Sequence, residues 1–415
     1  MTLTWKAEDS SLIDRNILSA ISLIEYLNYG NSDFYILIGS RSWVEANNNN
    51  KKETLVCFCT DDDTLDISNS LVFKYKDVFQ LSKNITLSGS SGVKGISFID
   101  GYRENKSIQD FVKEVKKFTN MNQSTYIPKG YNAVLLLSHD IDYINTNLMY
   151  RMGRLYYLLS YLRLGKPQLF IKNLPHFTRQ FFLSKEWAHH GMLELERERN
   201  ISSTWFLFST IEGNSSIYNP SYLLSDPETN TIIEKIQNNN SEIALHGSPE
   251  SAYDKSILLK EKENIEQHIK QSIIGNRHHM GRFHTIDSIE NWIDLGFVYD
   301  SSFLTNDLPL DISSTNHFFD LFNSSLEKSI VEFPTAWMDV QYLNFLACNQ
   351  EDFTKDTYGK IDYALDNNLV FSMNWHGIPY NWYLPLYEKV LDYCMESGFY
   401  VSSYRDYLNK LKSIN

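Results

Sequence analysis

Long apolar runs are missing from this 415-residue chain; none approaches the ~20 residues that a membrane-spanning helix needs. Cysteine is scarce. The four present (Cys57, Cys59, Cys348 and Cys394) lack the paired spacing of a zinc site and read as free thiols of a reducing compartment. Positive charge is also in deficit: 38 Lys and Arg stand against 51 Asp and Glu, a formal net charge of −13. Nucleic acid is therefore not the expected partner, because neutralising phosphates requires a basic face. The first residues, MTLTWKAEDSSLIDR, place an acidic pair where a secretory signal would need its apolar segment, so the expected location is the cytoplasm.

Hydrophobic residues make up 42% of the chain, enough for a packed globular protein. The 26 Tyr and 24 Phe suit sugar-handling surfaces as well as cores. The length favours two domains. Residues 1–120 read as a small α/β accessory domain, with a helix over Asn16–Asn28, β-rich runs at Phe34–Ile38 and Thr54–Cys59, a turn-rich stretch at Leu87–Gly92 and a charged helix over Ile108–Phe118. Nothing in it has ligand or nucleophile spacing. A polar linker, 121–131, follows.

From 132 to 415 the pattern changes. Apolar runs such as Val134–Leu137, Thr204–Phe208, Ile243–Leu245, Val331–Phe333 and Val370–Met373 are continuous rather than alternating. That marks strands buried on both faces, and helical patterns lie between several of them. Such alternation implies a mainly parallel sheet or barrel, in which chemistry collects at the C-terminal strand ends.

Four polar clusters sit at such ends. Ser138-His139-Asp140-Ile141-Asp142 offers two carboxylates, one able to bind a metal and the other to act as a base; Asp is equally a common turn or cap residue. Ile243 to Glu250 runs a strand into His246, a possible zinc ligand with Glu250 as a possible second, or a histidine satisfied by backbone beside a Gly-Ser-Pro turn. Arg277 to His284 packs three histidines and two arginines into eight residues, either a buried site or a solvated basic loop. Asn374-Trp375-His376-Gly377 offers a general acid in His376, or a structural histidine under a tryptophan.

Taken in this order, the clusters resemble the polysaccharide deacetylases of carbohydrate esterase family 4, the NodB-homology fold, and within it the HDxD branch that carries an extra N-terminal domain. The motifs carrying the resemblance are SHDID, STWFLFS, LHGSPES, NRHHMGRF, GFVYDSSF and MNWHG, from about Asn132 to Tyr404. The resemblance implies a distorted (β/α)7 barrel preceded by the small α/β domain. It also implies a divalent metal, Zn²⁺, and removal of an N-acyl group from an amino-sugar glycan or an activated sugar precursor. By the same resemblance Asp140 is the general base, Asp142 and His246 are metal ligands, Arg277 orients Asp140, and His376 is the acid. Asp339, in FPTAWMD, is a candidate to hold the tautomer of His376.

One position departs from the family. A histidine usually stands four residues after the first metal histidine, and here that position is Glu250. Either Glu250 completes the site, or His279 enters from the arginine motif, or the metal is lost. His279 is the preferred third ligand, because imidazole is the commoner zinc ligand. Two rival functions go with this: a saccharide-binding or scaffold protein with a decayed site, and a hydrolase of another non-peptide amide.

The stretch 147–185 carries seven basic residues and no acid, with aromatics interleaved. One reading is a pair of helices covering the barrel, apolar side inward and basic side in water. The other is a surface that attracts an anionic substrate carrier or makes peripheral membrane contact.

Overall fold

The computed structural model describes four short strands within the first 74 residues, and residues 127–144, 148–163, 187–209, 222–282, 285–302, 319–323, 328–345, 349–379 and 382–414, with scattered positions between 165 and 178. The early strands, β1 (Thr4–Ala7), β2 (Phe34–Gly39), β3 (Thr54–Cys59) and β4 (Ser70–Lys74), pair in parallel in chain order. The helices expected at Asn16–Asn28 and Ile108–Phe118 and the turn-rich stretch Leu87–Gly92 lie outside the described residues, as does the linker up to residue 126.

The second sheet is built on β5 (Ala133–Ile141), which is buried along its whole length. It continues through β6 (Thr204–Leu207), β7 (Glu242–Gly247), β8 (Gly275–His278), β9 (Tyr299–Asp300), β10 (Phe319–Asn323), β11 (Lys328–Glu332), β12 (Trp337–Met338), β13 (Val370–Asn374) and β14 (Phe399–Ser402). The spatial order is β10-β11-β9-β8-β7-β6-β5-β13-β12, with β14 also on β5. Every pair is parallel except the β10–β11 hairpin. β14 pairs with residues 133–136 of β5 and β6 with residues 138–141, so the two share one edge in succession while β13 takes the other.

This sheet must curl. Laid flat, the seven steps from β11 to β12 would span roughly 34 Å at ~4.8 Å per strand. Yet β11 ends at Glu332 and β12 begins at Trp337, a link that reaches at most ~18 Å. The two ends of the sheet are therefore drawn together, giving the distorted (β/α) barrel that the resemblance implied.

The helices are α1 (Leu148–Arg163), α2 (His189–Glu198), α3 (Pro227–Asn238), α4 (Lys255–Ile269), α5 (Thr285–Asp294), α6 (Gln350–Asp366), α7 (Tyr383–Glu396) and α8 (Tyr404–Ile414); α2 to α7 pack with Ala133, Leu135 and Leu137 of β5, whereas α8 packs with Val134 and Leu136 on that strand's other face. α4 shows why they form. Asp254 Oδ1 caps it by accepting from the backbone N–H groups of Ser256 and Ile257, and Leu258, Glu261, Ile265 and Ile269 recur at helical spacing on the buried side.

Four elements differ from the sequence reading. Strand β5 runs four residues past Leu137, so Ser138 to Ile141 are strand and not loop. β8 and β14 are strands that the hydrophobic pattern did not announce, because β8 reads Gly-Asn-Arg-His and β14 is half-exposed at its centre. The stretch 147–185 begins with a helix, α1, but its apolar residues do not all face inward. Leu158 and Tyr161 are buried, whereas Met152, Tyr156, Leu159 and Leu162 are exposed.

Gly275 marks the closest approach in the sheet. A Cβ there would lie 2.0 Å from Cζ of its register partner Tyr299, which is fully buried. Gly275→Ala is expected to destabilise the barrel by about 1–3 kcal/mol, the scale of overpacking, read as a lowered midpoint in thermal or denaturant unfolding. An unchanged midpoint would mean that Tyr299 yields without strain.

Candidate active site and metal centre

Parallel strands deliver their C-terminal ends to one rim, and the chemistry-bearing residues are found there. Asp140 is the penultimate residue of β5 and Asp142 follows its last. His246 is penultimate in β7, Arg277 lies in β8, and His279 is in the turn after it. Asp339 follows β12, and His376 stands two residues beyond β13.

Arg277 is the buried centre of the group. Its Nη1 donates to Asp140 Oδ1 at 2.6 Å. Its Nη2 reaches Ser138 Oγ at 3.0 Å, Ser301 Oγ at 3.0 Å and Tyr404 Oη at 2.9 Å, and its Nε reaches the Ser301 carbonyl at 3.2 Å. The guanidinium also lies over the Phe206 ring, 4.1 Å from its centroid. A cation this deep is tolerable only with such complete pairing. Burial alone would push the Asp140 carboxyl up, but Arg277 beside it, through charge and hydrogen bond, holds it well below the usual carboxylate range. Asp140 Oδ2 accepts from Asn374 Nδ2 at 2.8 Å.

Asp142, His246 and His279 form a group whose ligand-type atoms lie within 4.8 Å of one another. The His246 ring contacts the Arg277 carbonyl through Nδ1 at 2.8 Å. A carbonyl only accepts, so Nδ1 carries the hydrogen and, in the neutral ring, Nε2 presents its lone pair to Asp142 Oδ1 at 3.3 Å. Both atoms are buried without a hydrogen-bond partner. Two facing lone pairs with no proton between them repel, and a shared cation resolves the conflict. His279 Nε2 lies 3.9 Å from the same oxygen. Burial pushes His279 down to about 4, so at neutral pH it is in the uncharged form that ligates metals. Its turn uses Met280 at φ 62°, a left-handed residue that reverses the chain directly after the ligand. The donor set, one carboxylate and two imidazoles, suits a divalent ion of the zinc type.

Glu250 is not in this group. It lies against Glu261, whose carboxyl burial pushes up to about 7, with the charge of Glu250 adding to the effect.

His376 stands beside the group. Its Nε2 is 3.7 Å from Asp140 Oδ2 and 3.9 Å from Asp142 Oδ2, outside hydrogen-bond range of both. Its Nδ1 donates to Asp339 Oδ1 at 2.6 Å, and its backbone N–H donates to Asp339 Oδ2 at 2.9 Å. Asp339 also accepts from the Val340 backbone N–H and from the Tyr383 hydroxyl. Burial works against charge on His376, but Asp339 outweighs it and holds the imidazole up at about 9. Gly377 then turns the chain at φ 69°, and a Cβ there would meet His189 Nδ1 at 2.8 Å, so both conformation and space call for glycine.

Several supporting residues were not singled out by sequence reasoning. Asn374 and Ser301 lay inside quoted motifs without a role. Asp300 accepts from Asn276 Nδ2 at 2.7 Å and from the Ser302 backbone N–H at 2.7 Å, fixing the turn that brings Ser301 to Arg277. Tyr404 and Tyr383 gave no local signal; each is recognisable only by what it touches. Beneath the site His139 contacts the Trp375 carbonyl at 3.2 Å through Nδ1 and Glu196 Oε1 at 2.8 Å through Nε2, tying β5 to the His376 loop and to α2.

No protein-family model and no curated protein matches the chain. Among solved structures, it is similar to a Mycobacterium smegmatis protein assigned as a polysaccharide deacetylase, at 17% identity over 69% of this chain and 92% of that one, with a TM-score of 0.45. It is similar to a Puue allantoinase at 12% identity over 68% and 91%, TM-score 0.47. A third, at 11% identity over 54% and 62% and TM-score 0.31, is a CE4 family pseudoenzyme from Bacillus anthracis. Likenesses this distant decide nothing about the chemistry of this chain, which rests on its own residues.

The ligand grouping has a direct check. In zinc titrations against a competing chelator, Asp142→Asn and His279→Ala should each weaken binding by more than the roughly 10–100-fold typical of an outer-sphere partner, while Glu250→Ala should leave it nearly unchanged. The reverse order for His279 and Glu250 would move the third ligand to Glu250.

Proposed function

We propose that the chain is a zinc-dependent hydrolase that removes an N-acyl group, acetyl in the first instance, from an amino sugar of a glycan or its activated cytoplasmic precursor. The observation that carries this reading is the pair at one rim: an ionised Asp140 held by Arg277 and a protonated His376 held by Asp339, 3.7 Å apart, with the Asp142–His246–His279 group beside them. One base and one acid side by side at a three-ligand site is the equipment that amide hydrolysis needs.

Each residue then has a task. Asp140 takes a proton from water as the water oxygen attacks the acyl carbon. Its carboxylate is held so far down that it is a weak base, so the water must itself be acidified. A divalent cation bound by Asp142, His246 and His279 would supply that acidification and polarise the acyl oxygen as a Lewis acid. His376 gives its Nε2 proton to the departing nitrogen as the carbon–nitrogen bond breaks, and Asp339 steadies the imidazolium from the Nδ1 side. The products are a carboxylic acid and a free amine, and the proton on Asp140 returns His376 to its starting state.

Two outcomes separate this from its rivals. A chain that purifies without stoichiometric zinc and takes none up has a decayed site. One that holds zinc yet releases no acetate from N-acetyl amino sugars is a hydrolase of another amide.

Asp140→Asn should cut kcat by roughly 10²–10⁴-fold, the scale of general-base loss, with zinc content retained. Zinc loss in this variant would show that Asp140 is a ligand rather than a base.

The acid assignment predicts a pH profile. His376 must carry its proton, so activity should fall on the alkaline side as pH rises through about 9. Asp339→Asn removes the charge that keeps the imidazole protonated. Its alkaline limb should therefore move to lower pH by about 1–3 pH units, and a limb that stays in place removes His376 from the role of acid.

A further inference from the structure

Behind the acid–base pair lies a buried polar cluster to which the proposed chemistry gives no task. Ala133, Leu135 and Leu137 of β5 pack toward α2 to α7, and His139 continues that alternating set. Its ring lies 4.1 Å from the Trp205 ring, centroid to centroid. An imidazole with no exposure to water is costly unless its nitrogens are met. Both are. Nε2 stands 2.8 Å from Glu196 Oε1 on α2, and Nδ1 stands 3.2 Å from the Trp375 carbonyl. Glu196 is itself held, since Oε1 accepts from the Tyr387 hydroxyl at 2.5 Å and Oε2 from the Ser203 hydroxyl at 2.6 Å.

The Trp375 contact reaches the acid. A carbonyl only accepts, so His139 Nδ1 carries the hydrogen and donates it. The register of β5 with β13 ends at Ser138 and Asn374, and the Trp375 N–H still donates to the Ser138 carbonyl at 3.0 Å. The next acceptor along the chain, the Trp375 carbonyl, is met by the His139 side chain. On the other side of the same peptide unit, the His376 N–H donates to Asp339 Oδ2 at 2.9 Å. The peptide plane between Trp375 and His376 is thus pinned at its oxygen and at its hydrogen. That matters because Asp339 Oδ1 also takes the ring Nδ1 of His376 at 2.6 Å. One carboxylate meets both the amide and the ring only while the plane keeps its angle.

We propose that His139, steadied by Glu196, is a positioning residue that aims His376. It acts only through the Trp375 carbonyl, from the helix side of β5. The proposal rests on the reading of His376 as the acid, so its test has one arm that needs no turnover.

Two substitutions separate the contacts of the ring. His139→Asn carries an amide nitrogen at the place of Nδ1, keeping the donor to Trp375 and losing Glu196. His139→Gln reaches to the place of Nε2, keeping a donor to Glu196 and leaving the carbonyl unmet. Both lose the ring contact with Trp205, so both should lower the thermal midpoint. The first arm is deuterium exchange of the His376 backbone amide in the full chain, referenced to the Leu135 amide within β5. In His139→Gln the ratio should rise roughly 10-fold, the effect of one lost hydrogen bond, and in His139→Asn it should stay near wild type. The second arm is kinetics on an N-acetyl amino sugar. His139→Gln should lower kcat by roughly 10²-fold, the scale of a ~1 Å misplacement, with KM little changed, and His139→Asn should recover most of the loss. A wild type that releases no acetate ends the acid reading, whereas the exchange arm still decides the anchor. Equal exchange ratios in the two variants, or kcat that follows their midpoints, would show a histidine that serves stability alone and overturns the proposal. So does a His139→Gln chain that does not fold, since the anchor then holds the barrel rather than the acid.

Discussion

The Arg277–Asp140 ion pair is the interaction on which the rim of this barrel depends. A guanidinium with no exposure to water is costly unless every donor is met and the charge is balanced. Here Asp140 balances it, while Ser138, Ser301 and Tyr404 satisfy the remaining donors. Those partners come from β5, the turn after β9, and the start of α8. One side chain thus ties three sequence-distant elements together, and its own strand, β8, makes a fourth. Removing either partner would leave a buried charge alone, a loss of about 3–5 kcal/mol in such pairs. The site and the stability of the rim are therefore the same set of contacts.

The two acid–base partners are tuned by the same physics with opposite results. Burial disfavours charge on both Asp140 and His376, and in each case the surrounding opposite charges, led by one at 2.6 Å, together outweigh it. The outcome is a carboxylate and an imidazolium kept charged within 3.7 Å of each other. Arg277 and Asp339 are thus the leading partners in setting these two charge states.

Much of this was legible in the chain. Continuous apolar runs at Val134–Leu137, Thr204–Phe208 and Val370–Met373 announced buried parallel strands, because only a strand covered on both faces can afford them. Three of the four polar clusters followed such runs, and Asp140, Asp142, His246, Arg277, His279 and His376 all reach one rim. What stayed hidden has a common cause. β8 carries polar and charged residues whose burial is justified by partners at least 14 residues away, so no local pattern could mark it as core. Tyr383 and Tyr404 look like any helix-start aromatic, and only the packed structure shows a hydroxyl delivered to Asp339 in one case and to Arg277 in the other.

By itself, then, the sequence determined the alternation of strand and helix, the placement of acids and histidines at strand ends, and the concentration of positive charge in 147–185. Those are local properties, set by hydrophobic period and residue type. Tertiary structure decided the choices between equivalent groups. His279 rather than Glu250 joins Asp142 and His246, because the left-handed turn at Met280 follows one, while the Gly-Ser-Pro turn carries the other toward Glu261. The side of α1 left in solvent was decided in the same way, since Leu158 and Tyr161 are covered while Tyr156 and Leu159, of the same residue types, are not.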